Sequence, residues 1–376
     1  MSEAPVLFET RRCANGALIG IATLNNPAAL NALNLAMIRL LDAQLAEWAA
    51  APEVALVVLH GAGDKAFCAG GDVKGLRAAL LAEPAPAPHP AAVTFFTEEY
   101  RLDYRLHVYP KPLLVWGSGI VMGGGMGLLQ GASMRIVTDT SHLAMPEVSI
   151  GLYPDVGGSW FLSRLPGRLG RFLALTGASL NVHDALLLGL ADRALPNGSL
   201  QALLDALGTG HWRAHAAADQ AELERLVDRF AADHPVYLPA SPIAHHQLAL
   251  QAALQAGNIQ DVVARLIALG ESSDDPWLAR AAQTLANGSP STAAVSWTIQ
   301  QRLATVSLAD AFRAELALSV NFCARPDFIE GVRARLVDKD QAPHWQPAML
   351  ADVDQDWIDG HFAEHWSTET HPLRDL

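Results

Sequence analysis

Positive charge is scarce in this sequence. Its 376 residues carry 26 Lys and Arg against 39 Asp and Glu, a formal net charge of −13, and Lys65, Lys74, Lys111 and Lys339 are its only lysines. A broad negative field argues against nucleic acid and anionic membrane surfaces as main partners, so an anionic ligand must be held by local bases. Cysteine is scarce too. Cys13, Cys68 and Cys323 are odd in number, far apart and without metal-ligand spacing, which speaks against a disulfide framework or a metal site and fits a reducing compartment. The first ten residues, MSEAPVLFET, lack the basic and apolar blocks of a signal peptide and the Arg-rich, acid-free character of a transit peptide. A cytoplasmic enzyme is the expectation. Charged residues total only 17% while hydrophobic ones reach 51%, which excludes disorder as the main state and supplies a large core.

At roughly 100–200 residues per domain, the length suggests two domains or one large one. The first half alternates strand and helix signals. Ala17–Leu24, Ala55–His60, Leu113–Trp116 and Met134–Val137 read as strands, and Leu33, Met37, Leu40, Leu41, Leu45 and Trp48 recur at helical spacing. Repeated strand–turn–helix units predict an α/β core. Pro112–Met134 carries no charge and is long enough to span a bilayer. Its seven glycines would weaken a spanning helix, so it reads as a buried strand, a glycine turn and a helix start. Glu83–Pro90 is a Pro/Ala stretch expected as an exposed loop. From about Leu180 the chain turns Ala/Leu-rich, with Arg and Asp on the polar phase, and reads as helical.

Three segments carry candidate chemistry. KAFCAGGDVK (Lys65–Lys74) follows a strand, and its glycines let backbone approach a ligand closely; a simple turn with Asp72 capping the next helix is the plainer alternative. GGGMG (Gly123–Gly127) opens a helix, where free N–H groups suit developing negative charge. It is neither a Walker motif nor a dinucleotide fingerprint. In MPEVSIGLYPDVGGSW (Met145–Trp160), Glu147 and Asp155 each follow a proline inside an apolar stretch. Desolvated carboxyls of that kind suit acid–base or nucleophilic work, although either could simply cap a helix. No Gly-x-Ser-x-Gly elbow is present. His245-His246 and Cys68 lack catalytic partners nearby in sequence, and Trp277, Trp297 and Trp345 read as packing anchors.

Taken in order, two glycine-rich turns followed by a carboxylate resemble the enoyl-CoA hydratase/isomerase (crotonase) superfamily. The matching pieces are NNPAALNALN at Asn25–Asn34, KAFCAGGDVK, GGGMG and MPEVSIG at Met145–Gly151. Within it the chain most resembles the hydrolases of 3-hydroxyisobutyryl-CoA. That likeness is carried by FFTEEYRLDY at Phe95–Tyr104, the run Met145–Gly170, SPST at Ser289–Thr292 and the block Phe322–Trp345. The resemblance implies a crotonase-like ββα spiral core over residues 1–200 and a mainly helical region over 201–376.

It also implies site roles. The backbone N–H groups of Gly71 and Gly124 would form the oxyanion hole for the thioester. Glu147 and Asp155 would be the catalytic carboxyls, and Glu99 would bind the acyl hydroxyl. Lys65, Ala69, Asp72 and Lys74 would be substrate-binding, the two lysines as candidates for the CoA phosphates. Hydratases carry two glutamates; the first of these positions falls on Gly127, the second on Glu147, and Asp155 stands where hydratases usually carry glycine. That exchange favours thioester hydrolysis, within valine catabolism, over water addition to a double bond. Whether Glu147 attacks the carbonyl or activates water stays open. No metal or separate cofactor is expected, since coenzyme A is part of the substrate, and a homo-oligomer is left open. A hydratase or isomerase, or a non-catalytic acyl-CoA-binding protein, are the alternatives.

Overall fold

Leucine- and valine-rich runs supply the strands of the main sheet. The structure is a computed structural model that describes residues 4–83, 85 and 87–376. Its strands are β1 (Val6–Arg12), β2 (Leu18–Leu24), β3 (Val54–Gly61), β4 (Ala66–Cys68), β5 (Leu113–Gly117), β6 (Ile120–Met122), β7 (Met134–Thr138), β8 (His142–Ala144) and β9 (Arg193–Leu195). A six-stranded sheet runs β1-β2-β3-β5-β7-β9, and β4-β6-β8 form a smaller one. The β1–β2 pair is antiparallel and the remaining pairs of the large sheet are parallel. β5 is buried along its whole length and β3 along most of it, as apolar runs in a covered parallel sheet must be.

The helices are α1 (Leu35–Ala50), α2 (Val73–Ala82), α3 (Pro90–His107), α4 (Gly124–Gln130), α5 (Gly158–Phe161), α6 (Leu169–Thr176), α7 (Val182–Leu187) and α8 (Leu200–Leu207). They continue as α9 (Ala216–Asp233), α10 (Pro242–Ala253), α11 (Ile259–Glu271), α12 (Pro276–Asn287), α13 (Pro290–Arg302), α14 (Leu308–Cys323), α15 (Pro326–Val332) and α16 (Gln355–His361). Local chemistry sets many of their starts. Asn34, Asn181, Ser289 and Ser307, for example, each cap a helix by accepting a backbone N–H.

Two compact units interleave along the chain. One comprises Met1–Gly71, Leu102–Leu143 and Leu180–Ser241; the other comprises Asp72–Arg101, Ala144–Ser179 and Pro242–Leu376. In the first, Ile19, Ile21, Leu56, Val58, Leu114, Trp116 and Ile136 from the sheet pack with Leu203, Leu207, Leu223, Val227 and Phe230 of α8 and α9. The second is helical, with α11 against α12 and α6 against α13. An α/β core with a helical C-terminal region is therefore present as expected. The sequence-based division at residue 200 and this spatial one differ, because texture changes along the chain whereas compactness follows contacts: α8 and α9 pack with the sheet.

The uncharged segment Pro112–Met134 resolves into β5, β6 and α4, and among the described residues no helix is long and apolar enough to cross a membrane. The described residues of Glu83–Pro90 are exposed except for His89, whose ring lies 2.8 Å from the Glu83 carbonyl oxygen; Pro84 and Pro86 lie outside the described residues. The glycines of α4 serve close packing. A Cβ added to Gly125 would lie 2.3 Å from the Cys68 carbonyl oxygen, whereas one on Gly198 would meet nothing within 4 Å. Gly125→Ala should therefore lower the stability to urea by about 1–3 kcal/mol while Gly198→Ala leaves it nearly unchanged. Equal midpoints for the two variants would contradict this packing.

Candidate active site

The first unit builds the two glycine turns against each other. After β4, the chain passes through Ala69, Gly70 and Gly71, with Gly70 at φ +114°. A Cβ on Gly70 would stand 3.4 Å from the Met122 carbonyl oxygen and 3.8 Å from the Gly124 nitrogen. The parallel pairing of β4 with β6 delivers both turns to the same level. Gly124 is the first residue of α4, so its N–H has no acceptor within the helix. At Gly71, the bridge to Leu33 uses the Gly70 carbonyl, which accepts from Leu33 N at 2.8 Å. Among the described residues neither the Gly71 nor the Gly124 amide donates to a backbone acceptor. Asn31, from the NNPAALNALN segment, holds the neighbouring loop: its side chain donates to the carbonyls of Ala62 and Ala66 and accepts from Asn26 N. Lys65 is exposed and lines, with Pro27, Leu30 and Asn31, a cavity of about 170 Å³.

The second unit gathers the carboxyls. Glu147 opens a short 3₁₀ turn, Glu147–Ile150, directly after Pro146. Asp155 follows on the next loop, and Glu99 projects from α3. All three are buried: 4% exposed for Glu147, 5% for Asp155 and 2% for Glu99. Glu147 Oε2 and Glu99 Oε1 are buried without a hydrogen-bond partner among the described residues. Leaving such atoms unpaired is costly, and two at one place mark where a polar ligand belongs. Burial, then the charges of Asp155 and Glu99, pushes the Glu147 carboxyl well above the usual range. Burial and then Asp155 do the same to Glu99. Burial pushes Asp155 up to about 6, against the downward pull of its hydrogen bond with Tyr100.

A buried polar scaffold surrounds Asp155. Its Oδ2 lies 2.7 Å from the Tyr100 hydroxyl, which is 2.6 Å from Ser319 Oγ. Ser319 Oγ is 2.9 Å from the Tyr153 hydroxyl, and Tyr153 donates to the Glu315 carbonyl at 2.8 Å. The Glu315 side chain accepts from Gly157 N, Ser159 N and Ser159 Oγ at 2.8, 3.0 and 2.5 Å. That fixes the start of α5. Between Asp155 and Gly157, Val156 sits at φ +51°, a strained conformation for a β-branched residue that persists only where its surroundings over-determine it.

Of the residues implied by the sequence, Gly71, Gly124, Lys65 and Ala69 lie in the first unit, and Glu99, Glu147, Asp155, Asp72 and Lys74 in the second. Asp72 is the N-cap of α2, its side chain accepting from Gly75 N at 3.0 Å; Lys74 is exposed on that helix. The sequence reading passed over Tyr100, Tyr153, Ser159, Glu315 and Ser319. Three of these sit inside segments already singled out. Glu315 and Ser319 are four residues apart in the apolar run of α14, so one buried helix face carries both, and that polar pair was the available signal. His246 also gains a partner invisible in local sequence: its Nε2 lies 2.7 Å from Asp275 Oδ2. Among the described residues no group of three or more His, Cys, Asp or Glu side chains could hold a metal ion.

The Enoyl-CoA hydratase/isomerase family profile matches residues 19–362, and the chain belongs to that family. It is similar to the 3-hydroxyisobutyryl-CoA hydrolase, mitochondrial, of Danio rerio, with 37% identity over 92% of this chain and 87% of the relative. For the protein of the same name from Homo sapiens the figures are 33%, 97% and 90%. Among solved structures it is similar to a carnitinyl-CoA dehydratase from Mycobacterium thermoresistibile, at 35% identity and a TM-score of 0.81 over 95% of this chain and 96% of that one. An enoyl-CoA hydratase from Rhodobacter sphaeroides matches at 35% identity and 0.80, over 95% and 97%. The mitochondrial names of the curated relatives overturn the cytoplasmic expectation. That expectation rested on the odd number of cysteines, which reports a reducing compartment without saying which one, and on the composition of the first ten residues; Met1–Glu3 lie outside the described residues.

The raised carboxyls give the fold a pH dependence of definite sign. Asp155 titrates near 3.8 when unfolded and about 6 when folded. The folded protein thus holds the proton more tightly, and stability present below about pH 4 is lost as pH rises through about 6. In urea titrations of the ligand-free protein, Asp155→Asn should gain on the unsubstituted protein across that window, by roughly 1–3 kcal/mol. A constant difference between pH 4 and 7 would contradict the shifted carboxyl.

Proposed function

We propose that the protein hydrolyses the thioester of 3-hydroxyisobutyryl-CoA to the free hydroxy acid and CoA, in valine catabolism, and also accepts 3-hydroxypropionyl-CoA. The carrying observation is the cluster of buried, unpartnered Glu147 and Glu99 oxygens with Asp155 beside them, in a chain whose curated relatives are named as that hydrolase. Two acyl groups differing by one methyl fall within the discrimination of roughly 1–3 kcal/mol that an apolar pocket supplies.

In this reading the amides of Gly71 and Gly124 hydrogen-bond the thioester oxygen as it gains charge, each donor contributing about 3–4 kcal/mol of barrier lowering. Burial makes Glu147 a stronger base than a solvated carboxylate. That serves both available routes: attack on the carbonyl carbon to give a mixed anhydride that water opens, or removal of a proton from the attacking water. Glu99 binds the acyl hydroxyl and Asp155 orients the water or that hydroxyl. Lys65 and Lys74 meet the phosphates of CoA, with Ala69 and Asp72 completing the substrate contacts. CoA arrives and leaves with the substrate, so no separate cofactor enters.

The names of the two solved structures favour a second reading, a hydratase or dehydratase. Gly127 opposes it. It lies buried inside α4 with no carboxyl to offer, at the position where the resemblance places the first hydratase glutamate. Thiol release decides between them. The protein should liberate free CoA from 3-hydroxyisobutyryl-CoA, and Glu147→Gln should lower kcat about 10²–10⁴-fold with KM changed little. Hydration of crotonyl-CoA without thiol release, or Glu147→Gln at the unsubstituted rate, would contradict the hydrolase reading.

A further inference from the structure

The hydroxyl groups around Asp155 pose a problem of proton supply. Four contacts run in series from the Asp155 carboxyl to Tyr100, from Tyr100 to Ser319, from Ser319 to Tyr153, and from Tyr153 to the Glu315 carbonyl, at 2.7, 2.6, 2.9 and 2.8 Å. Each is a hydrogen-bond distance between oxygens and needs one proton. The last oxygen is a backbone carbonyl, which can only accept. The three hydroxyls supply three protons for four contacts, so with Asp155 ionised one contact must stay empty. With Asp155 as a carboxylic acid the count closes. Asp155 donates to Tyr100, Tyr100 to Ser319, Ser319 to Tyr153 and Tyr153 to the carbonyl.

We propose that Ser319 and Tyr153, acting through Tyr100, are positioning residues that hold Asp155 as a neutral carboxylic acid in the resting protein. The pattern has a direction because it ends on the Glu315 carbonyl inside α14. That terminus cannot take up a proton, so the chain stores Asp155's proton and does not conduct it away. Among the described residues, the titratable groups that feel the charge of Asp155 are acidic: Glu99, Glu147, Glu315, Tyr100, Tyr153 and Cys323. None of them compensates a charge on Asp155, and several would repel it. The downward pull that Tyr100 exerts on Asp155 applies when Tyr100 is the donor and vanishes when Asp155 donates instead. For the reaction, and resting on the hydrolase reading, a neutral Asp155 removes one of the charges that push the Glu147 carboxyl up.

The substitutions separate by direction. Removing Ser319 or Tyr153 deletes one hydroxyl and two contacts, after which the remaining hydroxyls suffice for an ionised Asp155. Removing Tyr100 takes away the hydroxyl and leaves the carboxyl its own backbone N–H as donor. Infrared spectra of the ligand-free protein, with the Asp155 acid band assigned by its loss in Asp155→Asn, read the titration without catalysis. The acid band should persist well above the range of an ordinary aspartate, with its midpoint at about 6. Its midpoint should fall by about one pH unit in Ser319→Ala and in Tyr153→Phe, the equivalent of one hydrogen bond. Tyr100→Phe should not lower it, and Ser319→Thr should retain the original midpoint. An original midpoint near that of an ordinary aspartate, or one shared direction for all three deletions, would overturn the proposal. If Ser319→Ala does not fold, Tyr153→Phe tests the same count. Because no substrate is present, failure of the hydrolase reading would not move the band.

Discussion

Everything distinctive in the helical unit follows from the cost of taking carboxyl groups out of water. Glu99, Glu147 and Asp155 are each at most 5% exposed, and a buried charge without a partner is among the most expensive features a fold can carry. The surroundings meet that cost unevenly. Glu315 receives three donors and becomes a structural fixture that fixes the start of α5. Asp155 receives one hydroxyl, while Glu147 and Glu99 keep an oxygen each with no partner among the described residues. The acids thus run from satisfied to unsatisfied, and the strained Val156 directly follows Asp155.

The α/β unit is governed by a different constraint, the close approach of main chains. Gly125 rests on the Cys68 carbonyl and Gly70 stands against Met122 and Gly124, so glycine is required where a side chain would force the turns apart. Beside these contacts the Gly71 and Gly124 amides donate to no backbone acceptor among the described residues. A segment that looked like a membrane span by composition is therefore a strand, a short second strand and a helix start, packed backbone to backbone.

Much of this was legible in the sequence, and the limits have physical causes. Strands β2, β3, β5 and β7 announced themselves because buried parallel strands are continuous apolar runs. β1 and the three-residue β4, β6, β8 and β9 did not. β1 has a single buried residue, Val6, and carries Glu9, Arg11 and Arg12, and the others are too short to show a period. Glu147 and Asp155 stood out as acids within an apolar segment, whereas Glu99 came only through the resemblance to the hydrolases. Tyr100, Tyr153 and Ser319 stayed hidden because a lone hydroxyl looks like packing until its partner, as much as 219 positions away, is brought alongside. The interleaving of the two units is likewise a property of contacts. It cannot be seen in texture along the chain.

In the proposed reading, what separates hydrolysis from hydration is a redistribution of acids. Gly127 offers no carboxyl where the resemblance places the first hydratase glutamate, while Asp155 and Glu99 join Glu147 in a buried group. The fate of the oxygen of water tests that claim most directly. Turnover of 3-hydroxyisobutyryl-CoA in heavy-oxygen water, followed by mass analysis of the product, should place the label in the carboxylate of the released hydroxy acid and leave its 3-hydroxyl unlabelled. Label appearing at the 3-hydroxyl of an intact CoA ester would contradict the account.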